Sequence, residues 1–166
     1  MGGLARDSDE PMPEETKSYV KQAWRQVNAK TGAEFNWDFW ENCQPRRSTY
    51  PSCRAVIAAT SNGPEMFDRI QQAYYQEAKN PSDVEVLCSL AAELELDEEN
   101  FRASLASAEV EATLQAGFNT RRRLGAYSFP SLVLESEGKV HFLCEGYSTV
   151  DEIMQKWKRI SGPDRI

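Results

Sequence analysis

Four cysteines are the residues of this sequence best suited to chemistry, and their spacing is the first constraint. Cys43, Cys53, Cys88 and Cys144 are scattered along the 166 residues, and no two of them form a CxxC. Thiol–disulfide exchange needs a thiolate and a second thiol close enough to resolve the mixed disulfide, and no neighbouring pair supplies that here. Zinc-type spacing is absent too. His141 is the only histidine, which leaves a Cys/His metal cluster or a Ser-His-Asp triad little to draw on, so no metal is expected. It alternates with apolar neighbours and reads as a strand residue, not a catalyst. Cys43 and Cys53 could pair if a turn brings a helix end near the next helix start, or be buried singly as small hydrophobes; the residues leave both open. An even cysteine count does not by itself show disulfides.

The remaining candidates are basic or hydroxylic. Arg46 and Arg47 could hold an acidic ligand or stand in a solvated loop. Ser48 and Thr49 stand where a helix should begin, and Arg54 lies one turn into it, so capping and an interhelical ion pair would account for the three. Arg121, Arg122 and Arg123 fall at the end of a predicted helix, where the macrodipole favours them. The acids gather between Asp83 and Glu111 as solvated helix faces. A net charge of -7 argues against a general affinity for nucleic acid. No apolar run approaches the ~20 residues of a membrane span, and the first residues carry no basic segment followed by an apolar stretch, so a cytoplasmic chain is expected.

The elements that must position these residues are mostly helical. Residues 1–13 contain Gly2, Gly3, Pro11 and Pro13 and read as the end of an earlier element followed by an irregular connection. Tyr19, Val20, Ala23, Trp24 and Val27 recur at helical spacing between Pro13 and Gly32. Phe35, Trp37, Phe39 and Trp40 predict a short helix or turn pinned into the core. Small residues from Ser52 to Ala59 predict a helix that a neighbour can approach closely. Further helices are predicted over 64–78, from a Ser82/Glu85 capping box, from Asp97 and from Ser107, the last stopping at Gly125. Residues 131–135 predict a short buried strand and 140–144 its hairpin partner; a Thr149/Glu152 box opens a closing helix bearing Ile153, Met154, Trp157 and Ile160. The domains read as a remnant (1–13), a helical insertion (14–125) and a ββα half (126–166).

A hairpin is marginal alone, and a strand as apolar as 131–135 wants a neighbour on both edges. The only other extended stretch, Gly2 to Ala5, is too short and glycine-rich to be central. The sheet is therefore expected to be incomplete.

Leu124 to Leu134, with Phe129-Pro130 at its centre, followed by a hairpin and a last helix, resembles the C-terminal half of a thioredoxin fold. The run from Phe39 to Ile57, with Ala73-Tyr74-Tyr75, resembles the helical insertion of DsbA-like proteins of the FrnE branch. The implied fold is α/β, thioredoxin-like and predominantly helical. The resemblance implies a cis bond at Pro130, with Phe129 bordering a bound peptide or thiol. It also implies that a β-α-β unit of about forty residues carrying the CxxC is missing ahead of Gly2-Gly3-Leu4. Ser48, Thr49 and Arg54 further resemble the Asn-Thr-x-x-x-x-Arg segment of kappa-class glutathione transferases and hydroxychromene carboxylate isomerases, with Ser48 in place of the Asn.

The resemblance thus implies a thiol–disulfide oxidoreductase or isomerase whose 166 residues are redox-inactive alone. Its substrates would be protein thiols, disulfides or a small thiol such as glutathione, without a cofactor. The alternatives are a glutathione-dependent transferase or isomerase, and a non-catalytic thiol- or peptide-binding module whose sheet is completed by a homodimer or strand exchange.

Overall fold

The computed structural model describes residues 8–46 and 48–161. The expectations placed on residues 1–7 and on Arg47 lie outside the described residues. The chain divides into two compact units, Met1–Ala116 and Gly117–Ile166.

In the first unit, Pro13 leads into α1 (Glu14–Thr31), with two acids in its first turn and Lys30 in its last, and Gly32 ends it at φ 74°. Glycine takes that left-handed conformation without a Cβ clash. Trp24 is the one buried residue of α1, so this helix is held mainly through a single ring. That ring enters an aromatic cluster with Phe35, Phe39, Trp40, Tyr74 and Tyr75, whose centroids lie 4.8 to 6.0 Å apart in the Trp24 and Phe39 pairs. Phe39, at 0% exposure, belongs to the four-residue α2 (Phe39–Asn42).

The second core of this unit is built by α3 (Tyr50–Ala58), a 3-10 turn, α4 (Gly63–Tyr75), α5 (Val84–Glu93) and α6 (Glu98–Leu105). Ala55, Ala59, Ala73 and Ala91 lie buried in it among Met66, Leu87, Leu90 and Phe101. The small residues do what their size allows. A Cβ on Gly63 would stand 3.0 Å from the Val56 carbonyl oxygen, a contact so tight that any larger residue would need the backbone around Val56 to give by a few tenths of an ångström. Arg69, in the middle of α4, binds Glu77 just past that helix at 2.8 Å and Glu93 at the end of α5 at 2.6 Å, tying the two helices together.

Asp97 caps α6 through the Asn100 N–H at 2.8 Å, and Ser107 accepts from the Val110 N–H at the start of α7 (Ala108–Arg123). The Ser82/Glu85 capping box does not form. Ser82 Oγ donates instead to the Ser48 carbonyl at 3.0 Å, and Glu85 takes both Nη atoms of Arg102 at 2.6 and 2.7 Å. Distant partners that offer a carbonyl and a bidentate guanidinium outcompete the local reciprocal cap.

The second unit begins inside α7 and contains β1 (Ser131–Ser136), β2 (Lys139–Glu145) and α8 (Val150–Ser161). The strands are antiparallel, joined by Glu137 (φ 53°) and Gly138 (φ 72°), the left-handed pair that a tight two-residue hairpin turn requires. A register shift after Leu132 leaves Leu143 of β2 without an opposite residue. Thr149 and Glu152 form their capping box, with the Thr149 N–H donating at 2.7 Å and the Glu152 N–H donating to Thr149 Oγ1 at 3.3 Å.

One expectation is corrected here: β1 is not buried. None of its residues is fully covered, and Leu132 is 45% exposed. Among the described residues the sheet has two strands only, so β1 is paired there on one edge. α8 likewise buries none of its residues fully, although Ile153, Met154, Trp157 and Ile160 share one face.

Candidate functional site

The two groups of candidate residues fall in different units, and each is described within its own. In the second unit Gly125 (φ 71°) ends α7's run, and the Phe129–Pro130 peptide bond that follows is cis. Phe129 is 39% exposed and has the Arg121 guanidinium 5.9 Å from its ring centroid. The Pro130 carbonyl accepts the Gly146 N–H at 2.7 Å, and Ser131 Oγ donates to the Ser128 carbonyl at 2.8 Å. These bonds fix the corner from both sides. Arg123, of the basic cluster, is engaged with Glu135 at 3.0 and 3.1 Å.

In the first unit Ser48 and Thr49 precede α3, but neither caps it through its side chain. The helix's entry is fixed instead by Pro51 in its first turn and by the Thr49 carbonyl accepting the Cys53 N–H at 3.1 Å. Ser48 is 9% exposed, and its hydroxyl has no hydrogen-bond partner among the described residues. The interhelical ion pair is present: Arg54 Nε donates to Glu111 Oε2 at 2.9 Å.

Arg46 donates to Asp9 at 3.2 Å and also binds Asp83, while its Nε is buried and unpartnered. Its charge is therefore already met by two carboxylates. Arg46, Ser48, Thr49, Ser52 and Ser82 line a crevice of about 380 Å³ together with Trp24, Ile70 and Tyr74. Sequence reasoning placed Trp24 and Tyr74 in the core and missed that they also wall this crevice.

The four cysteines are buried thiols and none is in a disulfide, so Cys43 and Cys53 are not an oxidised pair. Burial pushes the Cys43 thiol above its ordinary range, with the Asp83 charge adding to the effect. Burial likewise raises Cys88, although Arg102 opposes it. Tyr74 is raised by burial first and then by Tyr75 and Cys43. Such groups stay protonated at neutral pH, which is the wrong state for a nucleophile. Among the described residues no three His, Cys, Asp or Glu side chains are grouped to hold a metal. No described helix is long and apolar enough to cross a membrane.

A family model described as Thioredoxin matches residues 16–155. A structure from Nitrosomonas europaea, described as a candidate protein disulfide isomerase, superposes with a TM-score of 0.80 at 27% identity, covering 95% of this chain and 80% of that one. The cytosolic disulfide reductase DsbM from Pseudomonas aeruginosa gives a TM-score of 0.76 at 26% identity, covering 96% and 82%. Its structure with GSH gives 0.73 at 25% identity, covering 97% and 82%. The ClpXP adapter protein SpxH of Bacillus subtilis (strain 168) is 25% identical over 148 residues, which are 83% of this chain and 50% of that protein. The chain spans about half the length of this curated relative.

A mostly helical chain that closes with a proline corner, a hairpin and a helix defines a DsbA-like thioredoxin fold. The chain belongs to the thioredoxin family.

Proposed function

We propose that the chain is the helical and C-terminal part of a thiol–disulfide oxidoreductase or isomerase of the DsbA-like class, and that it is redox-inactive by itself. The single observation carrying this reading is the Phe129–Pro130 corner leading into β1, a strand whose second edge has no partner among the described residues. A strand–helix–strand unit with a CxxC would complete that sheet and bring the reactive thiolate to the family's place for it. The fifth of each structural relative that this chain does not match has room for such a unit.

In this reading the thiolate of the added unit attacks one sulfur of a substrate disulfide, giving a mixed disulfide and releasing the other sulfur as a thiolate. The second cysteine then attacks the mixed disulfide, which leaves the substrate reduced and the CxxC oxidised. The part played by this chain is binding. Phe129 offers an exposed ring to the substrate's apolar side chains, and Pro130 presents no N–H there. Substrates would be protein disulfides or a small thiol; the complex of DsbM with GSH supports glutathione as one of these. Neither a metal nor a cofactor is needed, and the cytosolic relative supports a cytoplasmic location.

The test is to join a strand–CxxC-helix–strand unit from a DsbA-like protein ahead of residue 1 and follow insulin reduction. Turnover should appear in the fusion and disappear when its first cysteine is replaced by serine. A soluble, folded fusion without turnover would contradict the reading.

A second reading is favoured by the match to SpxH: a module that binds a protein client and presents it without chemistry. It predicts a fusion that binds protein but stays inactive.

A further inference from the structure

We propose that Arg121 is a specificity-determining residue, and that it selects small peptide thiols and disulfides carrying a carboxylate within one or two residues of the reacting sulfur. The three arginines that end α7 are in different states. Arg123 is held by the Glu135 carboxylate, and Arg122 donates to Asn119 at 2.5 Å. Arg121 makes no side-chain hydrogen bond or ion pair among the described residues, and its one contact of note is the Phe129 ring, 5.9 Å from the centre of the guanidinium.

The two ends of that guanidinium differ. Its Nε is buried and out of a ligand's reach. Its two Nη atoms are neither bonded nor buried, so they meet solvent beside Phe129, which is itself 39% exposed. A buried stem, a ring within cation–π range and a free pair of Nη donors hold a flat cation in place with its binding end open. Arginine presents such a pair to a carboxylate as a two-pronged donor, which a lysine ammonium does not reproduce.

Distance sets where the carboxylate must sit. Consecutive Cα atoms are ~3.8 Å apart, so 5.9 Å is a span of one to two residues from a group resting on the Phe129 ring. Charge sets the size of the ligand. The chain carries a net charge of -7, so its overall field repels anions and any preference for one has to come from a local cation. An acidic protein would bring many charges against that field, whereas a small peptide brings one or two.

This inference rests on reading the Phe129–Pro130 corner as the place where substrate binds, and it adds to that reading the charge the substrate carries. The probe is S-methylglutathione, which has the carboxylates and no reactive thiol, compared with its dimethyl ester. Each is titrated into the isotope-labelled 166-residue chain, with the Phe129 amide and the Arg121 Nε–H followed by nuclear magnetic resonance. The acid should bind saturably and roughly threefold to tenfold more tightly than the ester, less than a buried charged pair would give, because the Nη atoms meet solvent. Raising the salt from 20 to 500 mM should remove most of that difference. Arg121→Gln should bind acid and ester alike, and Arg121→Lys should keep part of the preference.

Equal affinity for acid and ester in the wild-type chain would overturn the proposal, as would a preference that survives in Arg121→Gln or no saturable shift at Phe129. If Arg121→Gln weakens acid and ester by the same factor, Arg121 only holds Phe129 in place and the proposal fails. Insulin reduction by the CxxC fusion is measured in parallel. Turnover without the acid preference removes this inference and leaves the oxidoreductase reading, and the acid preference without turnover does the reverse.

Discussion

Offered insulin and dithiothreitol, the 166-residue chain is expected to leave disulfide reduction at the buffer rate. Exchange requires a thiolate that reaches the substrate sulfur, and each of the four cysteines fails on access. Cys43, Cys53, Cys88 and Cys144 are 8%, 7%, 1% and 6% exposed. Cys43 and Cys88 fail on ionisation as well, because burial holds their thiols above the ordinary range. A thiol with a pKa of 9 is only about 1% ionised at pH 7, and a raised one less. The same account sets the rate at which 5,5′-dithiobis(2-nitrobenzoate) labels the native chain. If attack waits on a local opening of about 3 kcal/mol, labelling should be about a hundredfold slower than in denaturing guanidinium, where all four thiols react. The pH dependence follows from the sign of the shift. Cys43 should become reactive only above the pH at which an exposed thiol does. One native thiol reacting at the denatured rate, with insulin turnover that its serine variant loses, would refute this.

Phe39→Ala should cost about 3 to 5 kcal/mol, the usual range for deleting a buried aromatic ring. Phe39 has no exposed surface, and its ring stands 4.8 Å from Trp40, 4.8 Å from Tyr74 and 5.1 Å from Trp24. The loss is large because more than one element depends on it. α2 is four residues long and has too few internal hydrogen bonds to persist without packing. α1 buries only Trp24, whose neighbours include this ring. Chemical denaturation should show the lowered midpoint, and tryptophan emission should move to the red. Trp37→Ala provides the contrast, because Trp37 is 49% exposed and its loss should cost under about 1 kcal/mol. If Phe39→Ala costs no more than Trp37→Ala, the cluster is not what holds α1 and α2.

The helices were readable because their punctuation is local. Pro13 and Gly32 bracket α1, and Asp97, Ser107 and Thr149 supply the caps their positions imply. Where a competing partner lay far along the chain, the reading failed. Ser82 and Glu85 have the spacing of a box, but a carbonyl 34 residues away and an arginine 17 residues away take them. β1 was misjudged for another reason. Its composition reports the environment it was suited to, and composition cannot show whether the covering strand is present.

The candidate site was partly legible in the same sense. Ser48 and Arg46 were singled out by their residues and by resemblance, whereas the partners that define their state were not. Asp83 binds Arg46 from 37 residues away, and no periodicity or motif announces that pair. Trp24 fits the apolar stripe of α1 so well that core packing explains it completely. Only the fold shows that one side of its ring also meets a crevice.

The central claim is that β1 is suited to pair on both edges and, among the described residues, has a partner on one. Hydrogen exchange at the β1 amides, Leu132 to Ser136, tests it most directly, comparing the 166-residue chain with the CxxC-bearing fusion. The β1 amides not bonded to β2 should exchange in the chain within about tenfold of unstructured rates, and in the fusion should slow toward the limit set by global unfolding. If those amides are already protected to the global limit in the chain by itself, the edge is not open and the account fails.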